Sequence, residues 1–133
     1  MGDRAAEHEV LEAYERLVAI FREGRWAEKF ACFAQEATVV DGGHWFGSLD
    51  EYRSAWERWM AGHDTPPVPL SVDTRVMKVQ LHGEAAVLTH SIESLERTDS
   101  GERTVREIES MVFGKQPDGR WLVLHQHLSP QPD

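Results

Sequence analysis

Two histidines one residue apart, His125 and His127, form the spacing in this sequence that comes nearest to a metal site. Alternation along a strand would place both imidazoles on one face, as a ligand pair for zinc requires. A site would need a third ligand, which His90 or Glu93 could supply only by chance. We therefore predict no metal and assign the pair a structural or interfacial role.

The last predicted strand separates these histidines from an apolar face. Its alternation groups Leu122, Leu124 and Leu128, and this face is predicted to meet the core. The opposite face then carries Trp121, Val123, His125 and His127. In a dimeric domain this second face is the predicted subunit interface, with Trp121, His125 and His127 in it.

Two further side chains on predicted strands could act on a ligand. His90 shares its parity with apolar neighbours, so it is either a satisfied core residue or a general acid/base at a pocket wall. Arg106 alternates with apolar residues too. It is predicted either to point inward and anchor an anionic or carbonyl group, or to pair with Glu93 or Glu96.

An aromatic concentration between residues 45 and 59 could form an apolar ligand wall, since flat rings suit a hydrophobic ligand. Its members are Trp45, Phe46, Trp56 and Trp59. The alternative is that these rings simply fill the core of a small domain. For Trp56 we prefer this alternative. His44 lies either at a pocket mouth or in a solvated loop.

Helices are predicted first along the chain. Apolar residues from Val10 to Phe21 recur at three and four, and Gly24 ends that helix. A second helix is predicted from about Trp26 to Ala34. The β-branched stretch from Ala37 to Asp41 then predicts a strand before the Gly42-Gly43 turn. A third helix starts at the capping box formed by Ser48 and Glu51.

Strands follow a proline-rich segment that contains Pro66, Pro67 and Pro69. The predicted strands are 71–82, 84–97, 104–115 and 121–129, separated by turns that include Asp99-Ser100-Gly101. Helices followed by a long antiparallel meander predict an α+β fold, with the helices on one face of a curved sheet. We expect one domain over residues 1–133, with a core from about 8 to 129 and a tail at 130–133.

Composition excludes several classes of protein. Of 133 residues, 14 are Lys or Arg and 23 are Asp or Glu, and the net charge of −9 disfavours nucleic-acid binding. The longest aliphatic or aromatic run, Leu17 to Phe21, is too short for a membrane span. The chain shows no secretory leader, so a cytoplasmic location is expected. Cys32 is the single cysteine, and no phosphate loop or nucleophile elbow predicts a cofactor or covalent hydrolase.

The end of the chain carries the most specific resemblance to a known family. Asp118-Gly119-Arg120-Trp121, followed by Val123, His125, His127 and Ser129, resembles the nuclear transport factor 2-like superfamily. It is similar in particular to the SnoaL-like branch and to the calcium/calmodulin-dependent kinase II association domain. Gly24-Arg25-Trp26 and the stretch from Phe33 to Asp41 match the family's way of joining its second helix to its first strand.

This resemblance implies a cone-shaped α+β barrel, in which a curved sheet surrounds a pocket closed by the first helix, usually in a homodimer. Compared with ketosteroid isomerase, Asp41 occupies the position of the general base. Glu109, ahead of Phe113, roughly matches the second acid. The family's phenol donor falls on Leu17. Tyr14 lies one turn away on the same helix face, so it could still reach the pocket and is expected to bind substrate. This departure disfavours a ketosteroid substrate.

The Asp41–Glu109 pair gives a chemical rationale for the resemblance. Two carboxyl groups in one low-dielectric pocket do not easily both ionise, so one can accept a proton while the other donates a hydrogen bond to an oxyanion. Asp41 before two glycines could instead be a turn residue. The sequence predicts cofactor-free acid–base catalysis on a hydrophobic carbonyl compound, as in isomerases, cyclases or dehydratases. The alternative is a non-catalytic ligand-binding or assembly module, because this fold hosts both.

Overall fold

The computed structural model describes residues 2–62, 68–98 and 100–132. Three helices and six strands lie within these residues. In chain order they are α1 (Gly2–Glu23), α2 (Trp26–Phe30), β1 (Phe33–Asp41), β2 (His44–Phe46), α3 (Leu49–Ala61), β3 (Ser71–His82), β4 (Ala85–Thr98), β5 (Gly101–Lys115) and β6 (Trp121–Pro130). The predictions on Pro66, Pro67 and Asp99 lie outside the described residues.

The six strands form one curved sheet in the order β2-β1-β6-β5-β4-β3. All neighbours pair antiparallel except β1 and β6, which run parallel. Because β2 and β3 are edge strands, the sheet wraps round without closing. The α+β prediction is confirmed, with the N-terminal helices against the concave side of a mostly antiparallel sheet.

Helix ends follow the predicted signals. Gly24 adopts a positive φ of 67° after α1, which only glycine does without strain. Just before it, the Arg22 guanidinium donates to the carbonyl of Val72 at 2.9 Å and ties α1 to β3. At α3 the Ser48 hydroxyl accepts from the Glu51 N–H at 3.2 Å, so the predicted cap is confirmed.

The second helix is shorter than its spacing predicts. It ends at Phe30, and Phe33 already pairs with Val123 at the start of β1. The Val123 N–H donates to the Cys32 carbonyl at 2.9 Å, which draws this segment into the sheet. Pairing with β6 therefore overrides a helical spacing that only a few residues support.

The predicted faces of β6 are wrong at its start because the strand contains a bulge. Phe113 pairs with Val123 while Val112 pairs with His125, so Leu124 is an extra residue. An extra residue resets the alternation. Trp121 and Val123 are consequently buried in the core, at 7% and 0% exposure, not beside the histidines.

The core lies between the concave face and the helices. Its buried members are Val10, Tyr14, Phe30, Phe33, Ala37, Val39, Leu49, Tyr52, Ala86, Leu88, Met111, Phe113, Trp121 and Val123. Within the described ranges no helix has the length and apolarity needed to cross a membrane.

Candidate functional site

A row of side chains crosses the concave face from β1 to β4. Asp41 pairs with Leu128, Leu128 with Glu109, and Glu109 with His90. Paired residues in neighbouring strands point to the same face. Adjacent strands lie about 4.8 Å apart, so the Asp41 and Glu109 backbones are separated by about 10 Å, with Leu128 between them.

A chain of hydrogen bonds links α1 to three strands through this row. The Tyr14 hydroxyl lies 2.9 Å from His90 Nδ1, and His90 Nε2 lies 2.5 Å from Glu109 Oε1. The other carboxyl oxygen, Glu109 Oε2, accepts from the Gln126 amide. His90 and Glu109 are 1% and 6% exposed, so this chain is sealed from bulk water. It fixes the His90 ring and the Tyr14 hydroxyl in place.

The proton on His90 determines what Tyr14 can do. When His90 Nδ1 accepts, the phenol proton is committed to that bond. When Nδ1 carries a proton and donates, the Tyr14 oxygen accepts and its own O–H can serve a ligand. Burial raises the pKa of Tyr14, so the phenol keeps its proton at neutral pH. The cluster can therefore present a neutral hydrogen-bond donor.

Asp41 lies at the end of β1 and is half-buried. Burial raises the pKa of this carboxyl, the charge of Lys29 lowers it, and the charge of Glu109 raises it. Gly42 and Gly43 both have positive φ, 60° and 79°, which supplies the turn geometry through the glycines themselves.

Glu107 is a third carboxyl on the concave face, two residues before Glu109 on β5. Burial, together with the charges of Asp41 and Glu109, raises its pKa to about 7. Residues two apart in a strand lie on the same face, so the spacing of Glu107 and Glu109 in the sequence predicts that both lie on the concave side. The site is therefore richer in carboxyl groups than the predicted pair.

Lys29, on α2, is the buried cation of this region, at 9% exposure. Its Nζ donates to the Tyr52 hydroxyl at 2.7 Å and lies 3.7 Å from the centre of the Trp56 ring. Burial lowers the pKa of the amine to about 7, although the charges of Glu109 and Asp41 raise it. Its only sequence signal was a lysine within an aromatic segment, between Trp26 and Phe33.

The predicted aromatic wall is divided by the structure. Trp56 is half-buried and packs on Trp26, with ring centres 4.9 Å apart. Trp45 and Trp59 are 64% and 48% exposed. Of the three predicted tryptophans, Trp56 is the one that the structure places beside Lys29 and Tyr52.

Arg106 lies on the outer face of β5, so the inward orientation is wrong and the predicted ion pair is what the structure contains. Its Nε is 2.9 Å from Glu93 Oε2. Glu107 and Glu109, at alternate parity, face the concave side. Arg106 and Glu93 also line a surface cleft of about 240 Å³.

The two C-terminal histidines lie on the side of β6 away from the buried Gln126. His125 Nδ1 is 2.8 Å from the Thr38 hydroxyl, and the His125 and His127 rings are 6.5 Å apart. Among the described residues no group of three or more His, Cys, Asp or Glu side chains could hold a metal ion. Their surroundings suit a structural or interfacial role.

Gln126 is a further residue of the candidate site. It has the parity of Leu128, which the predicted alternation turned towards the core, and it is 8% exposed beside Glu109. Its Oε1 has no hydrogen-bond partner among the described protein atoms. An unsatisfied buried acceptor costs free energy, so this atom marks a place where a ligand hydroxyl or a water would be stabilised.

The concave face thus carries a buried phenol–imidazole–carboxyl chain and two further carboxyls, Asp41 and Glu107. Residues 10–133 match the model of the SnoaL-like domain family. The chain belongs to this family. No curated protein matches the sequence.

Several solved structures are similar to this SnoaL-like domain. A ketosteroid isomerase-like protein from Erwinia carotovora atroseptica has 13% identity and a TM-score of 0.77, covering 92% of this chain and 93% of its own. The CaMKII hub of S. rosetta has 21% identity and a TM-score of 0.71, covering 93% and 95%. An NTF-2 like protein of unknown function from Shewanella oneidensis has 13% identity and a TM-score of 0.74, covering 92% and 98%. These likenesses show the fold of the SnoaL-like domain.

Proposed function

We propose that this SnoaL-like domain is a small-molecule enzyme that applies cofactor-free general acid–base catalysis to a hydrophobic carbonyl compound, in an isomerase, cyclase or dehydratase type of reaction. One observation carries the proposal. A half-buried carboxyl with a raised pKa, Asp41, shares the concave face with the hydrogen-bonded chain of Tyr14, His90 and Glu109. A base and a neutral donor on one surface are what proton transfer next to a carbonyl needs.

The hydrogen bonds suggest a role for each group. Asp41 removes a proton from the carbon next to the carbonyl, and its raised pKa brings it nearer the working pH. Both oxygens of Glu109 are engaged, by His90 and Gln126, so it positions His90 and does not itself donate to substrate. The donor to the developing oxyanion is then Tyr14, held by His90.

The apolar part of the substrate would lie against the buried side chains of the concave face. Trp56 and Tyr52 supply flat surfaces there, and Leu128 lies between the two acidic positions. Trp45 and Trp59 are too exposed to form a closed wall within this chain. Their predicted part in substrate binding would therefore require a second surface against them.

Hydrogen–deuterium exchange of a model ketone tests the assignment without the natural substrate. β-Tetralone in D₂O, followed by proton NMR, should exchange its α-protons faster with protein than in buffer. Asp41→Asn should reduce the protein-dependent rate by about 10²-fold or more, since it removes the base. The dissociation constant for β-tetralone, measured by quenching of tryptophan fluorescence, should stay within about threefold of the wild-type value, because asparagine has nearly the same shape as aspartate.

Asp50→Asn is the matched control, since Asp50 is an exposed carboxyl in the first turn of α3. It should exchange β-tetralone at the original rate. If Asp41→Asn exchanges the α-protons of β-tetralone as fast as Asp50→Asn does, Asp41 is not the base.

A second candidate function is assembly of a homodimer or larger oligomer. Leu122 and Leu124 are half-buried and His127 is exposed, and all three lie on the outer side of β6. The CaMKII hub of S. rosetta shares this fold. A sheet face with apolar and imidazole side chains suits an interface between copies. Assembly and catalysis are compatible, because they use opposite faces of the sheet.

A further inference from the structure

The acid–base roles above leave the buried Lys29 amine unused. We propose that Lys29 is a nucleophile that captures an aldehyde or ketone as an imine on the concave face, close to Asp41. This inference rests on the proposed function for the carbonyl class of its substrate. It adds a covalent step that the proton transfer alone does not need.

The surroundings of Lys29 are those of a reactive amine more than those of an ion pair. No Asp or Glu oxygen of the described residues lies within 4.0 Å of its Nζ. Its hydrogen-bond partner is the neutral Tyr52 hydroxyl, at 2.7 Å. Aromatic rings surround the amine, with centres 3.7 Å away for Trp56, 4.9 Å for Tyr52, 5.9 Å for Phe30 and 6.0 Å for Trp26. Burial in such a pocket opposes the charge of the ammonium, while the ring faces stabilise it through cation–π contacts.

The charged groups around the amine come from several elements. Asp41 on β1 and Glu109 on β5 favour its protonated form, whereas burial on α2 opposes it more strongly, and the pKa falls to about 7. Tyr52 on α3 stays neutral, because burial raises its pKa. A far larger fraction of the Lys29 amines is therefore uncharged at pH 7 than of an ordinary lysine, for which that fraction is on the order of one in 10³.

The covalent step balances with the groups present. The Nζ lone pair attacks the carbonyl carbon, and a proton moves from nitrogen to the former carbonyl oxygen, giving a carbinolamine. The hydroxyl then takes up one proton from solvent and leaves as water as the C–O bond breaks, while the remaining N–H proton stays on the nitrogen, so a protonated imine (C=N–H⁺) is left. Tyr52, hydrogen-bonded to the amine, can relay these protons. A protonated imine withdraws electrons from the adjacent C–H, which is the proton assigned to Asp41.

Reductive trapping tests the inference directly in the wild-type protein. The protein is incubated with β-tetralone, or with the smaller ketone acetone, and sodium cyanoborohydride, which reduces imines to stable amines. Peptide mass mapping then locates the label. The chain has three lysines, Lys29, Lys78 and Lys115, so two serve as internal references.

We expect Lys29 to be labelled at least tenfold faster than Lys78 at pH 7 with one of the two ketones. The pH profile gives a second readout that does not depend on steric access. The rate of acylation by acetic anhydride, which follows the fraction of free amine, should level off at Lys29 above about pH 8, whereas at an ordinary lysine it continues to rise about tenfold per pH unit up to about pH 10. Labelling confined to Lys78 and Lys115, or a Lys29 rate that rises as theirs does, would overturn the inference.

The outcome is separable from that of the proposed function. Asp41→Asn should still be labelled at Lys29, because the carboxyl acts after the imine forms. If α-proton exchange proves independent of Asp41 while Lys29 is labelled, the base assignment fails and the imine stands. If exchange depends on Asp41 and Lys29 is not labelled, the imine fails alone.

Discussion

At the scale of single residues, burial of Lys29 couples folding to pH. Its pKa is about 7 in the folded chain because burial disfavours the charge, whereas an exposed lysine titrates near 10.4. Between these values the unfolded chain binds one proton more, so stability rises with pH. We expect the free energy of unfolding to increase by about 1 to 2 kcal/mol from about pH 7 to about pH 9, measured by urea denaturation.

Lys29→Met keeps much of the side-chain volume and removes the titrating group, so its stability should be nearly flat over the same window. Lys78→Met, at an exposed position on β3, is the matched control and should keep the wild-type slope. Glu107 acts in the opposite direction and at lower pH. Its raised pKa of about 7 makes stability fall as pH rises towards 7. Equal slopes in wild type and Lys29→Met would contradict the assignment of the titration to Lys29.

Residue types and the resemblance to a known family predicted part of the candidate site. The remaining contacts are visible only in the tertiary structure. The resemblance gave Asp41 and Glu109, and strand parity gave a buried His90, which the structure places on one face. The hydrogen bond from Tyr14 to His90 joins residues 76 apart in the chain. Local spacing carries no information about such a contact, and the same holds for the charge environment of Lys29.

At the scale of elements, the bulged residue of β6 packs against a glycine in the neighbouring strand. A Cβ on Gly114 would lie 2.6 Å from Leu124 Cδ1 and 3.0 Å from its Cγ. The bulged Leu124 therefore packs where Gly114 has no side chain. Gly114→Ala should destabilise the fold by about 1 to 3 kcal/mol, because the leucine must move. Urea denaturation of the variant measures this loss.

A double-mutant cycle separates this packing from other effects of alanine in a strand. In a Leu124→Ala background the clash is absent, so adding Gly114→Ala should cost at least 1 kcal/mol less than it does alone. Additive losses would mean that the bulge does not depend on close approach of these two residues.

Strand and helix order was predictable because most elements here are long and periodic. The predicted strand 71–82 agrees with β3 at both ends, and the Ser48 cap marked α3 correctly. The errors fell where pairing outweighs local pattern. Alternation cannot reveal an extra residue such as Leu124, since a bulge is defined by the partner strand. That single residue reversed the predicted sides of Trp121 and Val123.

At the scale of the whole molecule, the sheet divides two kinds of surface. The concave side of the sheet carries the three carboxyls and is covered by the helices, among them α2 with Lys29. The outer side carries the Arg106–Glu93 ion pair and the C-terminal histidines. A substitution on one face of the sheet can therefore leave the side chains of the other face unchanged. This separation makes it meaningful to test assembly with outer-face substitutions and catalysis with concave-face substitutions in the same protein.

Assembly through the outer face should be sensitive to charge placed there. His127 is exposed in the single chain, so His127→Asp should leave the fold unchanged. At an interface between two copies the same carboxylate would be desolvated and face its symmetry mate, which is unfavourable. We expect light scattering after size exclusion to give the mass of a dimer for wild type and of a monomer for His127→Asp. Glu57→Ala, on the exposed side of α3, should remain dimeric. A wild-type monomer, or a dimer that persists in His127→Asp, would exclude this face of β6 as the interface.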